Sequence, residues 1–113
     1  MENTLIKYIA AIIERTKANH ITWAKKSVST YHADMTKDSR LARLIIQRIE
    51  SPEIGAHQSE YQFRVWDMSS RTKVIDLSSA ERPELRGALN ALFKAIKDGE
   101  DLRGVDFLKD VLG

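Results

Sequence analysis

The residues best able to do chemistry are a histidine and an aspartate two positions apart, His32 and Asp34. In an extended strand this spacing puts both side chains on one face. Such a pair could act as a base with its orienting carboxylate, or supply part of a metal site. The other histidines, His20 and His57, stand at no recognised ligand spacing from it. We therefore favour a solvated pair, with no catalytic residue and no metal, and keep a small enzyme using this pair as an alternative.

Other catalytic motifs are missing from the sequence. The chain has no cysteine, which excludes disulfides, thiol nucleophiles and thiolate metal sites. It has no Gly-x-Ser-x-Gly motif, and its five glycines are too scattered to form a phosphate-binding or dinucleotide-binding loop. We predict a protein that is not an enzyme and binds no cofactor.

The elements that must position these residues begin with a helix over about 4–18, because Leu5, Ile9 and Ile12 recur at helical spacing. Asn19 is suited to the left-handed residue that ends it. The stretch 21–30 has no clear periodicity. Beyond it, alternating apolar residues predict four strands, at 30–35, 41–50, 60–68 and 72–78, with 51–59 as a connector.

A second helix is predicted after Pro83, since apolar residues repeat at helical spacing from Leu85 to Ile96. Asp98 and Gly99 are expected to end it, and 102–112 to form a last short helix. The fold class is therefore α+β, with an N-terminal helix, a three- to four-stranded antiparallel meander and one or two C-terminal helices, in a single domain of residues 1–113. This order is similar in architecture to small binding folds such as secretion-chaperone-like and immunity-protein-like domains.

The two longest strands carry large apolar residues on both faces. In 60–68, Tyr61 and Phe63 share the face expected to meet the core, and Trp66 and Met68 share the other. A sheet with one wet face would alternate more cleanly. Either helices cover both faces, or the second face meets a partner or a second copy of the chain.

The function predicted from this pattern is protein binding, with self-association as a homodimer through the second sheet face. The anchors are expected to be Ile45, Ile49, Trp66 and Met68, with Arg64 at the rim, because aromatic residues and arginine dominate protein interfaces. The partner is therefore another protein or a second copy.

The alternative function is an accessory protein that binds nucleic acid. Residues 1–50 carry nine basic and five acidic side chains, although the whole chain has a net charge of only +2. Lys25, Lys26, Arg40 and Arg43 would contact phosphates, with nearby aromatic rings stacking on bases. Arg43 and Arg48 have opposite parity in their strand, so they should not share a face.

The cellular location is expected to be cytoplasmic, without membrane association. The first apolar stretch, residues 5–13, is too short to span a bilayer, and no small-residue cleavage site follows it.

Overall fold

A computed structural model describes residues 2–50 and 59–113, with side chains from Thr4 onward. The elements, in chain order, are α1 (Glu2–Lys17), β1 (Ala24–Ser27), β2 (Thr30–Lys37), β3 (Arg40–Glu50), β4 (Ser59–Asp67), β5 (Thr72–Ser78), a 3-10 turn (Pro83–Leu85) and α2 (Arg86–Leu112). The strands form one antiparallel sheet in the order β1-β2-β3-β4-β5. The α+β class, the meander and the two terminal helices are confirmed.

The predicted strand number was wrong, because the sheet has five strands and not three to four. The additional strand is β1, which has the sequence Ala-Lys-Lys-Ser and is exposed along its whole length. A strand that buries no side chain shows no apolar alternation, so its sequence carries no periodic signal. Its two lysines suit a strand at the edge of a sheet, where long charged side chains can stay in solvent.

Tight turns hold the strands in register. Between β2 and β3, Asp38 and Ser39 both have positive φ, at 52° and 67°. Positive φ at both central residues defines the turn that matches strand twist in a two-residue hairpin. After β4, the Asp67 carboxylate accepts hydrogen bonds from the backbone N–H groups of Ser69 and Ser70, at 3.0 and 3.4 Å. These local bonds replace ladder bonds that the turning chain cannot make.

The C-terminal helix is longer than predicted. We expected Gly99 to end one helix before a second began, but α2 runs without a break from Arg86 to Leu112, through Gly99 and Gly104. A glycine inside a helix costs only about 1 kcal/mol, so it can be accommodated where other contacts hold the helix. One such contact is the ion pair between Lys25 on β1 and Glu100, at 3.3 Å.

The hydrophobic core lies between the helices and one face of the sheet, here called the inner face. Tyr31, Leu44, Ile46 and Phe63 on this face are at most 4% exposed, and Val65 and Ile75 are partly buried beside them. Both helices contribute to the same cluster, α1 through Ile9 and α2 through residues such as Leu89, Leu92 and Phe93. Both helices therefore lie on the same side of the sheet.

The end of α1 is fixed by a buried hydrogen bond to the segment that follows it. Trp23, which is 7% exposed, donates its indole N–H to the hydroxyl of Thr16 at 3.1 Å. Asn19 has a φ of 61°, as predicted for the residue that ends the helix. This bond satisfies the one polar atom of a large apolar ring as the chain turns towards β1.

The beginning of α2 is tied to β4 by a polar cluster of three side chains. Ser79 is fully buried, and its Oγ accepts the backbone N–H of Tyr61 at 2.8 Å and donates to Glu60. Arg86, the first residue of α2, donates to the other oxygen of Glu60 at 2.6 Å. Both hydrogen bonds favour the charged carboxylate and hold the pKa of Glu60 below its ordinary value.

The path of α2 crosses the sheet from β4 to β1. Near its beginning, Asn90 accepts a hydrogen bond from the Tyr61 hydroxyl on β4 at 2.6 Å. Midway, the ring of Phe93 lies 5.5 Å from that of Tyr31 on β2 and 5.8 Å from that of Tyr61. Further along, Glu100 reaches Lys25 on β1. Residues 101–112, which are all exposed, therefore continue past the β1 edge.

The predicted connector 51–59 falls outside the described residues except for Ser59, which begins β4. Among the residues that are described, neither helix combines the length and the apolar character needed to cross a membrane.

We expect Phe93→Ala to lower the free energy of unfolding by about 3–5 kcal/mol, because it removes the ring on which β2, β4 and α2 converge. Urea denaturation measures the change. Tyr8→Ala is the control, since Tyr8 is 64% exposed on α1 and should change stability by no more than about 0.5 kcal/mol. Equal effects of the two substitutions would contradict this account of the core.

We expect Glu60→Gln to lower stability by about 1 kcal/mol at pH 7, because it removes the charge that Ser79 and Arg86 stabilise. The folded-state pKa of Glu60 is lowered, so its contribution is present above the unfolded-state pKa and is lost as the pH falls through the folded-state pKa. The gap between wild type and variant should therefore narrow as the pH falls below the ordinary pKa of a glutamate. Denaturation across this range tests it, with exposed Glu14→Gln as control; a gap that does not vary with pH would contradict the prediction.

Candidate binding surface

The sheet has a second face, here called the outer face, on which neither helix lies. Its residues alternate with those of the inner face, and none belongs to the buried core. They include Ala24, His32, Asp34, Arg43, Ile45, Gln47, Ile49, Gln62, Arg64, Trp66, Lys73, Asp76 and Ser78. Within the described part of the chain, the helices thus cover one face and leave the other accessible.

Two rows of side chains run across the centre of the outer face. Strand register places Ala24, His32, Ile45, Arg64 and Asp76 side by side in one row. The neighbouring row consists of Asp34, Arg43, Trp66 and Lys73. Each row combines a large apolar side chain with charged groups, which is the composition of a surface that can be solvated alone and buried on binding.

Ion pairs within the sheet cancel most of the charge in these rows. Asp34 accepts two hydrogen bonds from Arg43, from Nε at 2.8 Å and from Nη2 at 3.1 Å. At the β5 end of the same rows, the Lys73 amine lies 2.8 Å from the Asp76 carboxylate and 6.0 Å from the centre of the Trp66 ring. The hydrogen bond from Arg43 lowers the pKa of Asp34, and the one from Lys73 lowers the pKa of Asp76. Both acids therefore stay charged well into the acidic range.

The structure brings together most of the residues predicted as interface anchors. Ile45 lies directly opposite Arg64 on the neighbouring strand, and Trp66 is one row away. Ile49 lies further along β3 and is 39% exposed. Met68 is one residue past β4 and half-buried; its backbone N–H donates to the Leu41 carbonyl.

The four cations predicted to contact nucleic acid do not share one surface. Lys25 is on the helix side of the sheet, paired with Glu100. Lys26 and Arg43 line a cavity on the outer face, and Arg40 lines a different cavity at the β2–β3 turn. Arg48 is on the inner face, 5.2 Å from the Phe93 ring centre, so the opposite orientation predicted for Arg43 and Arg48 is confirmed.

His32 and Asp34 share the outer face, as their spacing predicts, but Asp34 does not serve as the partner of the histidine. Both carboxylate oxygens of Asp34 bind Arg43 instead. Burial, together with the positive charges of Arg43 and Lys26, lowers the pKa of His32. Among the described residues no three histidine, aspartate or glutamate side chains are grouped to hold a metal ion. The geometry gives this pair no base-and-orienter arrangement.

The cavity beside His32 has a volume of about 290 Å³ and opens on the β1 side of the outer face. Its lining residues are Thr22, Ala24, Lys26, His32, Asp34 and Arg43. The small side chain of Ala24, opposite His32 in the register, leaves this space open. Lys26 has no carboxylate within ion-pair distance among the described residues, so it gives the cavity a positive charge that Asp34 does not cancel.

A second apolar surface, which the sequence analysis did not assign to binding, is the part of α2 that projects past β1. We call residues 101–112 the α2 extension. Its large apolar side chains are 48–83% exposed: Leu102, Val105, Phe107, Leu108, Val111 and Leu112. Most were predicted as the apolar face of a short helix. The sequence feature that indicates this exposure is the number of apolar residues. They make up half of the extension, which is more than one buried face of a helix needs.

We expect Arg43→Gln to raise the pKa of Asp34 towards its ordinary value, because the largest cause of the lowering is the hydrogen bond from Arg43. Carboxyl-carbon NMR across an acid titration measures it. Lys25→Gln removes the same charge from the other side of the sheet and should leave the titration of Asp34 unchanged. Equal shifts in both variants would contradict the paired geometry.

Comparison with known proteins adds no family to this description. No family model matches the chain, and neither a curated protein nor a solved structure matches it. Its function is therefore argued from the outer face and the α2 extension alone.

Proposed function

We propose that this protein is a non-enzymatic binding module that self-associates through the outer face of its sheet. The observation that carries the proposal is the position of both helices on the inner face, which leaves Ile45 and Trp66 half-buried on the outer face with no helix over them. Large apolar groups at the centre of an otherwise solvated sheet face are typical of an interaction site.

A second copy is the partner that fits the centre of this face, because the charged groups around Ile45 and Trp66 are paired within the chain. Arg43 is paired with Asp34, and Lys73 with Asp76. A symmetric interface brings the same patch of both subunits together, so a strongly charged face would repel its own copy. A face whose ion pairs lie within each sheet avoids that repulsion.

The size of the face is sufficient for a dimer. Five strands at roughly 4.8 Å spacing give a width of about 19 Å, and eight residues at roughly 3.3 Å give a length of about 26 Å. One face is then about 500 Å² in projection, so covering it on two subunits involves about 1,000 Å² in all. This approaches the smaller specific interfaces even before the relief of the side chains is counted.

Nucleic-acid binding remains the alternative, now restricted to Lys26 and Arg43 on the outer face. It differs in its salt dependence. Two results would favour the alternative. The affinity for single-stranded DNA or RNA would fall steeply as the salt concentration rises, and Lys26→Ala would weaken binding more than Lys25→Ala does. Self-association through Trp66 and Ile45 should instead persist at high salt.

We expect Trp66→Ala to weaken self-association by about 30-fold, the usual effect of removing a central aromatic anchor. The variant should stay folded, since Trp66 does not belong to the core. Sedimentation equilibrium gives the dissociation constants, and circular dichroism verifies the fold. Tyr8→Ala, which removes an exposed aromatic ring from α1, should leave the dimer unchanged. An intact dimer in Trp66→Ala, or an unfolded monomer, would contradict the proposal.

A further inference from the structure

The second unoccupied surface, the α2 extension, continues the side of α2 that faces the sheet. An α-helix repeats its direction after 18 residues, or five turns. Phe107 therefore points the same way as Leu89, and Val111 the same way as Phe93, both of which are buried against the inner face. Phe107 and Val111 have no sheet beneath them in their own chain, where they are 67% and 63% exposed.

We infer that the α2 extension of one copy binds across the outer face of a second copy, with Phe107 in the cavity beside His32, and that the exchange is reciprocal. This inference rests on the proposed self-association, but it assigns the contact with each outer face to the α2 extension of the other copy, in place of a contact between the two outer faces. It joins the two surfaces that the monomer leaves without a cover, the apolar end of its long helix and the apolar face of its sheet.

Symmetry permits this exchange. A two-fold axis in the plane of the sheet, parallel to β1 at its edge, turns the outer face of the partner towards the side on which α2 lies. The extension that projects past β1 then lies over the outer face of the partner, and the partner's extension passes beneath the first sheet. Both contacts are the same, so the pair is closed and does not grow into a fibre.

The length of the extension matches the distance to the proposed contacts. Counted from Glu100, which is at β1, Phe107 is about 10 Å and Val111 about 16 Å along the helix. Neighbouring strands are about 4.8 Å apart, and the two β1 edges would stand side by side at a similar spacing. Phe107 then lies over the partner's β2, where the cavity is, and Val111 lies between its β3 and β4, near Ile45 and Trp66.

The cavity has the size and the charge to receive the Phe107 ring and the charged residues beside it on the extension. Its volume of about 290 Å³ exceeds the roughly 150 Å³ that is known to hold benzene. Lys26 and Arg43 at its wall can contact the face of the ring as cations. On the extension, Arg103 and Asp110 flank the sheet-facing side beside Phe107 and Val111, Asp106 lies towards the end of α1, and Lys109 points away. Asp110 is therefore the acid that can meet the positive charge of Lys26.

Two substitutions on exposed residues test the inference. Phe107→Asp removes the inserted ring, and Ala24→Glu fills the cavity and repels Asp110. Neither residue is in the core, so both variants should fold. We expect each to weaken self-association by at least about 30-fold, and Val111→Asp to act like Phe107→Asp. The matched controls are Tyr8→Asp on α1 and Val28→Glu at the β1–β2 turn, both on exposed apolar residues, and neither should weaken it.

Mixing the two variants separates this arrangement from a sheet-on-sheet dimer. Phe107→Asp keeps an open cavity and Ala24→Glu keeps an intact extension, so the mixture should form a heterodimer with one working contact although each variant alone is monomeric. Light scattering of the mixture reads this out. Recovery supports the inference. A Phe107→Asp protein that dimerises like wild type, while Trp66→Ala dissociates, overturns it and leaves the proposed function standing. A wild-type chain that is monomeric at every concentration overturns both.

Discussion

The path of α2 across one face of the sheet is the constraint on which the rest of the structure depends. Phe93 lies against Tyr31 and Tyr61, and polar contacts at Glu60 and Lys25 hold the helix on either side of that point. Because α1 packs against the same cluster, the apolar faces of both helices go into one layer. Strict alternation along β3 and β4 then divides each strand into a buried set and an accessible set.

The accessible set combines apolar side chains with charged groups that are paired inside the sheet. Ion pairs such as that of Arg43 on β3 with Asp34 on β2 keep charge close to Trp66 and Ile45 while largely cancelling it. Exposed pairs of this kind contribute little to stability, at most about 1 kcal/mol each. Such pairs mainly affect solubility and which partners a surface tolerates, and the proposed second copy is a partner with the same balanced charge.

Much of the fold could be predicted from the sequence, because long strands with one buried face carry their own pattern. Both bounds of β5 agree with the prediction, and those of β3 and β4 lie within one residue of it. β1 could not be found, since Ala24–Ser27 buries no side chain and pairs with β2 alone among the strands. The helix break expected at Gly99 failed for a related reason. The residue favours an end locally, but contacts such as Lys25 with Glu100 come from distant parts of the chain.

The candidate site was predictable only in part. The alternation of side chains along the strands predicted that Ile45, Arg64 and Trp66 share one face of the sheet. It could not decide whether a helix covers that face, because this depends on where α1 and α2 pack on the sheet. It also could not show that Lys25 and Lys26, adjacent in sequence, serve opposite faces, or that Arg40 lies apart from Arg43 at a turn. The spacing of Phe107 in the sequence does not mark it as a contact residue. Its proposed role depends on the continuation of α2 past the edge of the sheet.

The central claim is that the outer face is where two copies of this chain meet. The molar mass of the wild-type protein, measured by light scattering after size exclusion at low and at high salt, tests it most directly. The account predicts about twice the 12.9 kDa of one chain in both conditions, because an apolar contact is not screened by salt. A mass of one chain in both conditions, at every concentration reached, would contradict it.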